Sequence, residues 1–335
     1  MSPVSQPPSP APAFVSTGSL PARQEVLDLV ETAYAKFRNE RAGEVADYIP
    51  ALAEADAASF GICVANTRGD TFALGDAGLP FSIQSVSKPF AFALVCDALG
   101  AEEAASRLGV DATGLPFNSI MAVELRADRS TNPLVNSGAI ATTSLVPGAD
   151  AQERWHNVQQ GLSRFAGRAL GFDERVYLSE AATNQRNAGL AHLLRGYGRL
   201  FCDPDEATDV YTRQCSLLVT ARDLAVMGAT LAGGGVNPLT GVQVVSAATC
   251  SHVLAVMATA GMYERSGSWL YDVGLPGKSG VSGGIVTVSP GKGAVATYSP
   301  PLDAAGNSVR GQLATRFLSQ RLGLNLFVSA PAPRT

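Results

Sequence analysis

Phe81-Ser82-Ile83-Gln84-Ser85-Val86-Ser87-Lys88-Pro89-Phe90-Ala91-Phe92-Ala93-Leu94-Val95 passes from a polar entry into a run that is apolar on nearly every side. A helix of that kind belongs in a core. Ser85 stands where the helix should start, Pro89 is tolerated in a first turn, and Lys88 follows Ser85 by three residues. Side chains at i and i+3 share one helix face, so the Lys88 amine can reach the Ser85 hydroxyl. The partial positive charge of a helix N-terminus and the nearby phenylalanines both disfavour the ammonium form and pull the lysine pKa toward neutrality. A neutral lysine beside a serine is an activated nucleophile of the Ser-Lys type.

A serine cap followed by an ordinary surface lysine gives the same letters. The composition weighs against it. Only four of the 25 basic residues are lysines, namely Lys36, Lys88, Lys278 and Lys292. Arginine serves wherever charge alone matters but cannot be deprotonated in a protein, so a lysine kept inside an apolar helix points to amine chemistry.

The 335 residues provide one large domain or two intimate ones. Apolar residues at 46%, charged residues at 16% and a net charge of -4 describe a globular protein with no case for nucleic-acid binding. Cys63, Cys96, Cys202, Cys215 and Cys250 are odd in number and lack C-x-x-C spacing; they read as small buried hydrophobes of a reducing compartment. His156, His192 and His252 are isolated, so no metal site is expected. No window has the apolar length of a membrane span. Residues 1–21 hold six of the 20 prolines and no lysine or arginine, which reads as a disordered leader rather than a secretory signal; residues 329–335 read as a loose tail, and the cytoplasm is the expected location.

Periodicity predicts an amphipathic helix over residues 22–41 and a β-hairpin over 60–74 that leads into the Ser85 helix. Helices follow over residues 151–170, from Ser179-Glu180 to about 200, over 205–216, from a capping-box variant at Thr220-Ala221-Arg222-Asp223 to Gly233, and over 246–260. Strands return over 281–289 and 293–298, and a helix over 312–322 closes the chain. An isolated hairpin is at best marginal, so the first and last strands should pair with each other. The expected class is α+β: an antiparallel sheet flanked by helices, packed on a helical subdomain, with the site in the cleft where Ser85 emerges. The expected division is one catalytic domain over 22–328, made of an α/β part (22–100 and 261–328) and a helical insert (101–260).

Lys278-Ser279-Gly280 precedes the returning strands and Ser130-Thr131-Asn132 supplies an S-x-N between the two lysine motifs. S-x-x-K, S-x-N and K-S-G in this order are similar to the serine β-lactamases and penicillin-binding peptidases. The flanking residues point to another branch. Tyr48-Ile49-Pro50, Gln84 to Lys88, Asn132 to Ile140, Ser179-Glu180 with Arg186-Asn187, Tyr211 to Ser216, Met262-Tyr263 and Gly277 to Gly284 occur in order. In these the chain resembles the serine-dependent glutaminases, which share the β-lactamase-like fold, from about Arg23 to Phe327. Ser137, Ser282 and Pro89 depart from that family's usual alanine, glycine and non-proline residues.

The resemblance implies that Ser85 attacks the side-chain carboxamide of L-glutamine while Lys88 takes its proton, with the backbone amides of Ser85 and Val281 holding the oxyanion. Tyr263 would pass a proton to departing ammonia and Tyr48 would face the substrate. Glu180, the one carboxylate of the set, would bind the α-ammonium, and Asn136, Asn187 and Tyr211 the remaining α-groups. No cofactor is implied, and a homodimer or homotetramer is. A β-lactamase or D-alanyl peptidase is the alternative enzyme, and a non-catalytic β-lactam sensor the alternative binding protein.

Overall fold

Alternation along the strands sorts side chains into two cores, one on each face of a single sheet. The structure, a computed structural model, describes residues 18–329; the expected leader up to residue 17 and the tail beyond 329 lie outside the described residues. The chain runs through α1 (Arg23–Phe37), the hairpin β1 (Gly61–Asn66) and β2 (Thr71–Gly75), the two-residue strand β3 (Phe81–Ser82), a 3-10 turn over Gln84–Ser87, and α2 (Lys88–Leu99). Then come α3 (Ala101–Leu108), the single turn α4 (Met121–Glu124), α5 (Asn136–Leu145), α6 (Ala151–Ala166), β4 (Gly171–Phe172), α7 (Glu174–Ala182) and α8 (Gln185–Gly196). The middle of the chain ends with α9 (Pro204–Cys215), β5 (Leu217–Val219), α10 (Ala221–Ala232), α11 (Ala247–Ala260) and α12 (Ser266–Val273). Strands return as β6 (Gly277–Ser279), β7 (Gly284–Ser289) and β8 (Gly293–Tyr298), and α13 (Val309–Arg321) closes.

The main sheet has the order β2-β1-β8-β7-β6 and is antiparallel throughout, with Val64 of β1 opposite Val295 of β8. The two ends of the chain do pair, as the marginal hairpin required. Ile62, Val64, Ile285 and Val295 face a core shared with Val26 and Val30 of α1 and Ala314 and Leu318 of α13. Their neighbours Cys63, Ala65, Val286, Val288, Ala294 and Ala296 face the larger core built with α10, α2 and the other helices. Residues on that second face are mostly small, so α10 lies close against the sheet. Gly228 sits at the contact, where an added Cβ would fall 2.6 Å from Ala294 Cβ and 2.8 Å from Val286 Cγ2.

Several local readings are corrected. The helix expected to begin at Ser179 is two helices: Asp173 caps α7 by accepting from Val176 N–H at 3.0 Å, the turn at Thr183 and Asn184 interrupts, and α8 follows. Glu180 therefore lies in the last turn of α7, not in a first turn. The strand expected over 281–289 begins only at Gly284, because Gly283 (φ +101°) closes a tight turn on Gly280 O at 2.9 Å, and a Cβ there would meet Ser299 O at 2.3 Å. Lys278-Ser279 consequently belongs to edge strand β6, and Val281 to the β6–β7 turn rather than a strand edge. The Ser85 helix is preceded by the 3-10 turn, so Ser85 is in that turn and α2 starts at Lys88 with Pro89 in its first turn. The capping box is present: Asp223 N–H donates to Thr220 Oγ1 at 3.1 Å and Thr220 N–H to Asp223 Oδ2 at 2.7 Å. A second small sheet, β3-β5-β4, has strands of two or three residues, too short to show a period.

Gly228→Ala tests the close approach of α10. Alanine gains about 1 kcal/mol of helix propensity over glycine, but overpacking a core costs about 1–3 kcal/mol. With rigid strand atoms under 3 Å away, a net loss of stability in denaturant melting is expected.

Candidate active site

Lys88 carries a charged group to a place with 1% exposure. Burial lowers its pKa from the ordinary lysine value to about 8, with the Cys215 thiol and the Glu180 carboxylate pulling the other way. Its Nζ donates to Asn136 Oδ1 at 2.7 Å and stands 5.9 Å from the centroid of the Tyr211 ring. Asn136 is the first residue of α5, and its Nδ2 donates to Asn187 Oδ1 at 3.0 Å, in the first turn of α8. Tyr211 OH, from the last turn of α9, reaches the same Asn136 Oδ1 at 3.4 Å. The hydrogen bond of the amine thus goes to Asn136 rather than to the Ser85 hydroxyl, and Ser85 is part of the surroundings of the Tyr263 phenol.

Tyr263 is buried, and burial pushes its phenol up to about 12 against the lowering effect of hydrogen bonds with Ser85 and Ser279. Its OH donates to Ser279 O at 3.1 Å. Lys278 Nζ donates to that same carbonyl at 2.7 Å and lies 4.1 Å from the centroid of the Tyr263 ring. Burial, and next the charge of Lys88, hold the Lys278 amine well below the usual lysine range.

These groups surround a cavity of about 130 Å³ lined by Tyr48, Ile49, Gln84, Ser85, Phe117, Asn118, Asn136, Glu180, Thr183, Asn184, Arg186, Asn187, Tyr211 and Val281. Tyr48 is 54% exposed and stands at its mouth; Tyr48, Phe117 and Val281 also line the wider groove outside, of about 800 Å³. The structure therefore brings together Ser85, Lys88, Tyr48, Asn136, Glu180, Asn187, Tyr211, Tyr263 and Val281. Ser130-Thr131-Asn132 is not part of this lining: Ser130 Oγ bonds Asp128 and Arg126, and Asn132 Nδ2 bonds the carbonyls of Val110 and Asp111. Of the three departures, Ser137 is satisfied by Thr131 at 2.8 Å, Pro89 sits in the first turn of α2, and Ser282 lines a separate cavity of about 210 Å³.

The electrostatics are polarised. The 3-10 turn leading into α2, the start of α5 and the start of α8 converge on the cavity, and each helix start carries partial positive charge. Glu180 sits instead at the end of α7, where the helix dipole offers a carboxylate no help. Burial raises its pKa to about 7, opposed by the Gln84 hydrogen bond (Nε2 to Oε2, 3.3 Å) and by Lys88. A carboxylate kept at such cost suits a cationic ligand group. Gln84 has φ +47° and Tyr263 φ +57°, so two of the three non-glycine residues with positive φ among the described residues adjoin Ser85.

Gln84, Phe117, Asn118 and Arg186 also line the cavity, with no role implied by their sequence alone. Gln84 and Arg186 stand inside the quoted motifs, whereas Phe117 packs its ring at a tilt against Tyr263 (centroids 4.8 Å apart) and its carbonyl accepts Asn136 N–H at 2.8 Å from a loop with no periodic signal.

A family model described as Glutaminase matches residues 43–327, a span that contains every pocket residue. Glutaminase 2 of Yersinia pestis is 59% identical over 95% of this chain and 94% of its own length. Glutaminase of Mycobacterium ulcerans is 50% identical over 95% of this chain and 97% of its own. Among solved structures, a probable glutaminase, ybaS, superposes with a TM-score of 0.91 at 43% identity, covering 92% of this chain and 100% of that one. Mglu in its glutamate form gives 0.87 at 39% identity, covering 92% and 71%. Between the two branches open to a Ser-Lys motif on this fold, the full-length matches decide: the chain belongs to the glutaminase family.

Proposed function

We propose that the protein hydrolyses the side-chain amide of L-glutamine to L-glutamate and ammonia through an acyl-enzyme on Ser85. The observation that carries this reading is the fully buried Lys88 amine, bonded to Asn136 at 2.7 Å and three residues from a serine on the cavity wall. Ser85 Oγ adds to the carboxamide carbon while its proton passes to neutral Lys88 Nζ. The oxyanion is held by the N–H groups of Ser85 and Val281, neither of which closes the turn that carries it. Tyr263, kept protonated by burial, donates as the C–N bond breaks and ammonia leaves. The proton held by Lys88 then returns to the Tyr263 phenolate, water adds to the ester as the again neutral Lys88 takes its proton, and that proton passes to Ser85 Oγ as glutamate departs. No cofactor enters this scheme.

Glu180 receives the α-ammonium, and Asn136, Asn187 and Tyr211 receive the other α-groups near the helix starts. Tyr48 covers the mouth. A zwitterionic amino acid fits a pocket with positive helix ends on one side and a carboxylate on another. A homodimer or homotetramer and a cytoplasmic location complete the proposal on the family resemblance; light scattering on the purified chain tests the assembly. No helix among the described residues is long and apolar enough to cross a membrane.

Ser85→Ala is expected to abolish turnover with the fold intact, and an electrophilic glutamine analogue should add to the wild type but not to the mutant by intact-mass measurement. Wild-type turnover in the mutant would rule out the acyl-enzyme.

Lys88 acts unprotonated and its pKa is depressed to about 8, so kcat/KM should rise with pH through that region and level off above it. Lys88→Arg keeps charge but cannot accept a proton, so a loss of roughly 10²–10⁴-fold is expected. A mild loss would retire the base assignment.

Glu180→Gln should lower kcat/KM by roughly 30-fold to several thousand-fold, chiefly through KM, since losing one partner of a buried charge pair costs about 2–5 kcal/mol. In the wild type, glutamine binding should weaken as pH falls through about 7, where the Glu180 carboxylate takes up a proton. Because the Glu180 charge raises the Lys88 pKa, the mutant's ascending limb should also move to lower pH. An unchanged KM and an unmoved limb would remove Glu180 from substrate recognition.

A further inference from the structure

We infer that Ser87 and Gln214 form a positioning relay that sets the direction of the Ser85 backbone N–H toward the oxyanion. The inference deepens the acyl-enzyme reading and rests on it. The unit in question is the peptide group joining Gln84 to Ser85. Its carbonyl, Gln84 O, accepts a hydrogen bond from Ser87 Oγ at 2.7 Å. A trans peptide is planar, with C=O and N–H pointing to opposite sides. Anchoring the carbonyl on Ser87 therefore turns the N–H of Ser85 the other way. Ser85 lines the cavity, while Ser87 is fully buried behind it.

A hydroxyl proton can rotate, so the anchor is only as good as what fixes it. Gln214 Nε2 donates to Ser87 Oγ at 2.9 Å. An amide nitrogen has only protons to offer. It occupies a lone pair of Ser87 and leaves the Ser87 proton for the strongest acceptor near it, Gln84 O. Gln214 is itself held, with Thr143 Oγ1 at 3.3 Å from its Oε1. Ser87, Gln214 and Thr143 are all fully buried, so no bulk water competes.

A serine bonding the carbonyl three residues back is common in helical turns and by itself means little. The partner from another helix is what local capping does not need. Gln214 stands three residues after Tyr211 on α9, so one helix face serves both Asn136 and the Ser87 turn. The need for it lies in Gln84, whose φ of +47° is a costly conformation for a residue with a side chain. That backbone persists only when its surroundings over-determine it, and the relay supplies a bond to its own carbonyl.

The test uses the full-length protein with Ser87→Ala and Gln214→Met. Loss of a whole oxyanion donor costs about 10²–10³-fold in kcat, so misdirecting one should cost about 10- to 100-fold. KM should stay within about threefold, because ground-state contacts are untouched. The distinguishing readout is a glutamine-side-chain aldehyde, which forms a tetrahedral adduct with Ser85. Its affinity should fall by the same factor as kcat/KM, while that of glutamate stays unchanged. The double mutant should be no worse than Ser87→Ala alone, since the two residues act as one unit. Equal weakening of aldehyde and glutamate, wild-type kcat in Ser87→Ala, or fully additive losses would each overturn the relay. If Ser87→Ala fails to fold, Gln214→Met carries the same readouts. A wild-type protein that forms no aldehyde adduct on Ser85 would bring down the acyl-enzyme reading and the relay with it. An adduct in the wild type with undiminished affinity in both mutants would overturn the relay alone.

Discussion

An amine taken out of water constrains everything around it. Burying an ammonium costs several kcal/mol even after relaxation, and Lys88 has one side-chain hydrogen bond, to Asn136, with which to offset that cost. Its environment favours the neutral form. To supply that one acceptor, α5 must begin at Asn136, α8 must present Asn187 to orient the amide, and α9 must bring Tyr211 to the same oxygen. Three helix ends are fixed by one nitrogen. The apolar faces of α2, α5, α8 and α9 pack into the same large core, which holds these ends in register.

Lys278 adds a second buried amine, set against the Tyr263 ring. Each ammonium would raise the cost of the other, so the pair biases the site further toward neutral amines. Burial keeps the Tyr263 phenol protonated, which suits a donor rather than a base. Environment, not residue type alone, sets which of these groups is neutral and which keeps its proton.

Backbone strain is concentrated at the same point. Gln84 and Tyr263 both hold left-handed conformations, one directly before Ser85 and one beside it. Neither is glycine, so the side chain must be wanted there: Gln84 reaches Glu180, and Tyr263 reaches Ser85. Glycine does stand where the chain must pass close to another strand, as at Gly283 against Ser299 O. That turn leaves Val281 N–H outside its own closing bonds.

Much of this was legible in the sequence. The apolar surround of Lys88 announced a buried amine with a lowered pKa, because burial of a lysine is a local statement about its neighbours. The antiparallel sheet joining both ends of the chain followed from a hairpin too small to stand alone, and the capping box at Thr220 followed from local letters. What the letters could not decide were direction and partnership. Nothing near Glu180 in the sequence marks the break at Thr183, so its letters suggest a helix start; only the fold puts it at the end of α7, facing Gln84 from 96 residues away. Helical spacing pairs Lys88 with Ser85, yet the hydrogen bond of the amine goes to Asn136, 48 residues on, because the 3-10 turn over Gln84–Ser87 alters the local geometry and α5 arrives beside it. Phe117 gave no signal at all, since a loop residue acquires its role only from the aromatic ring it meets. Spacing fixes which side chains share a face of one element; which face meets which is settled by packing the whole chain around two sides of one sheet.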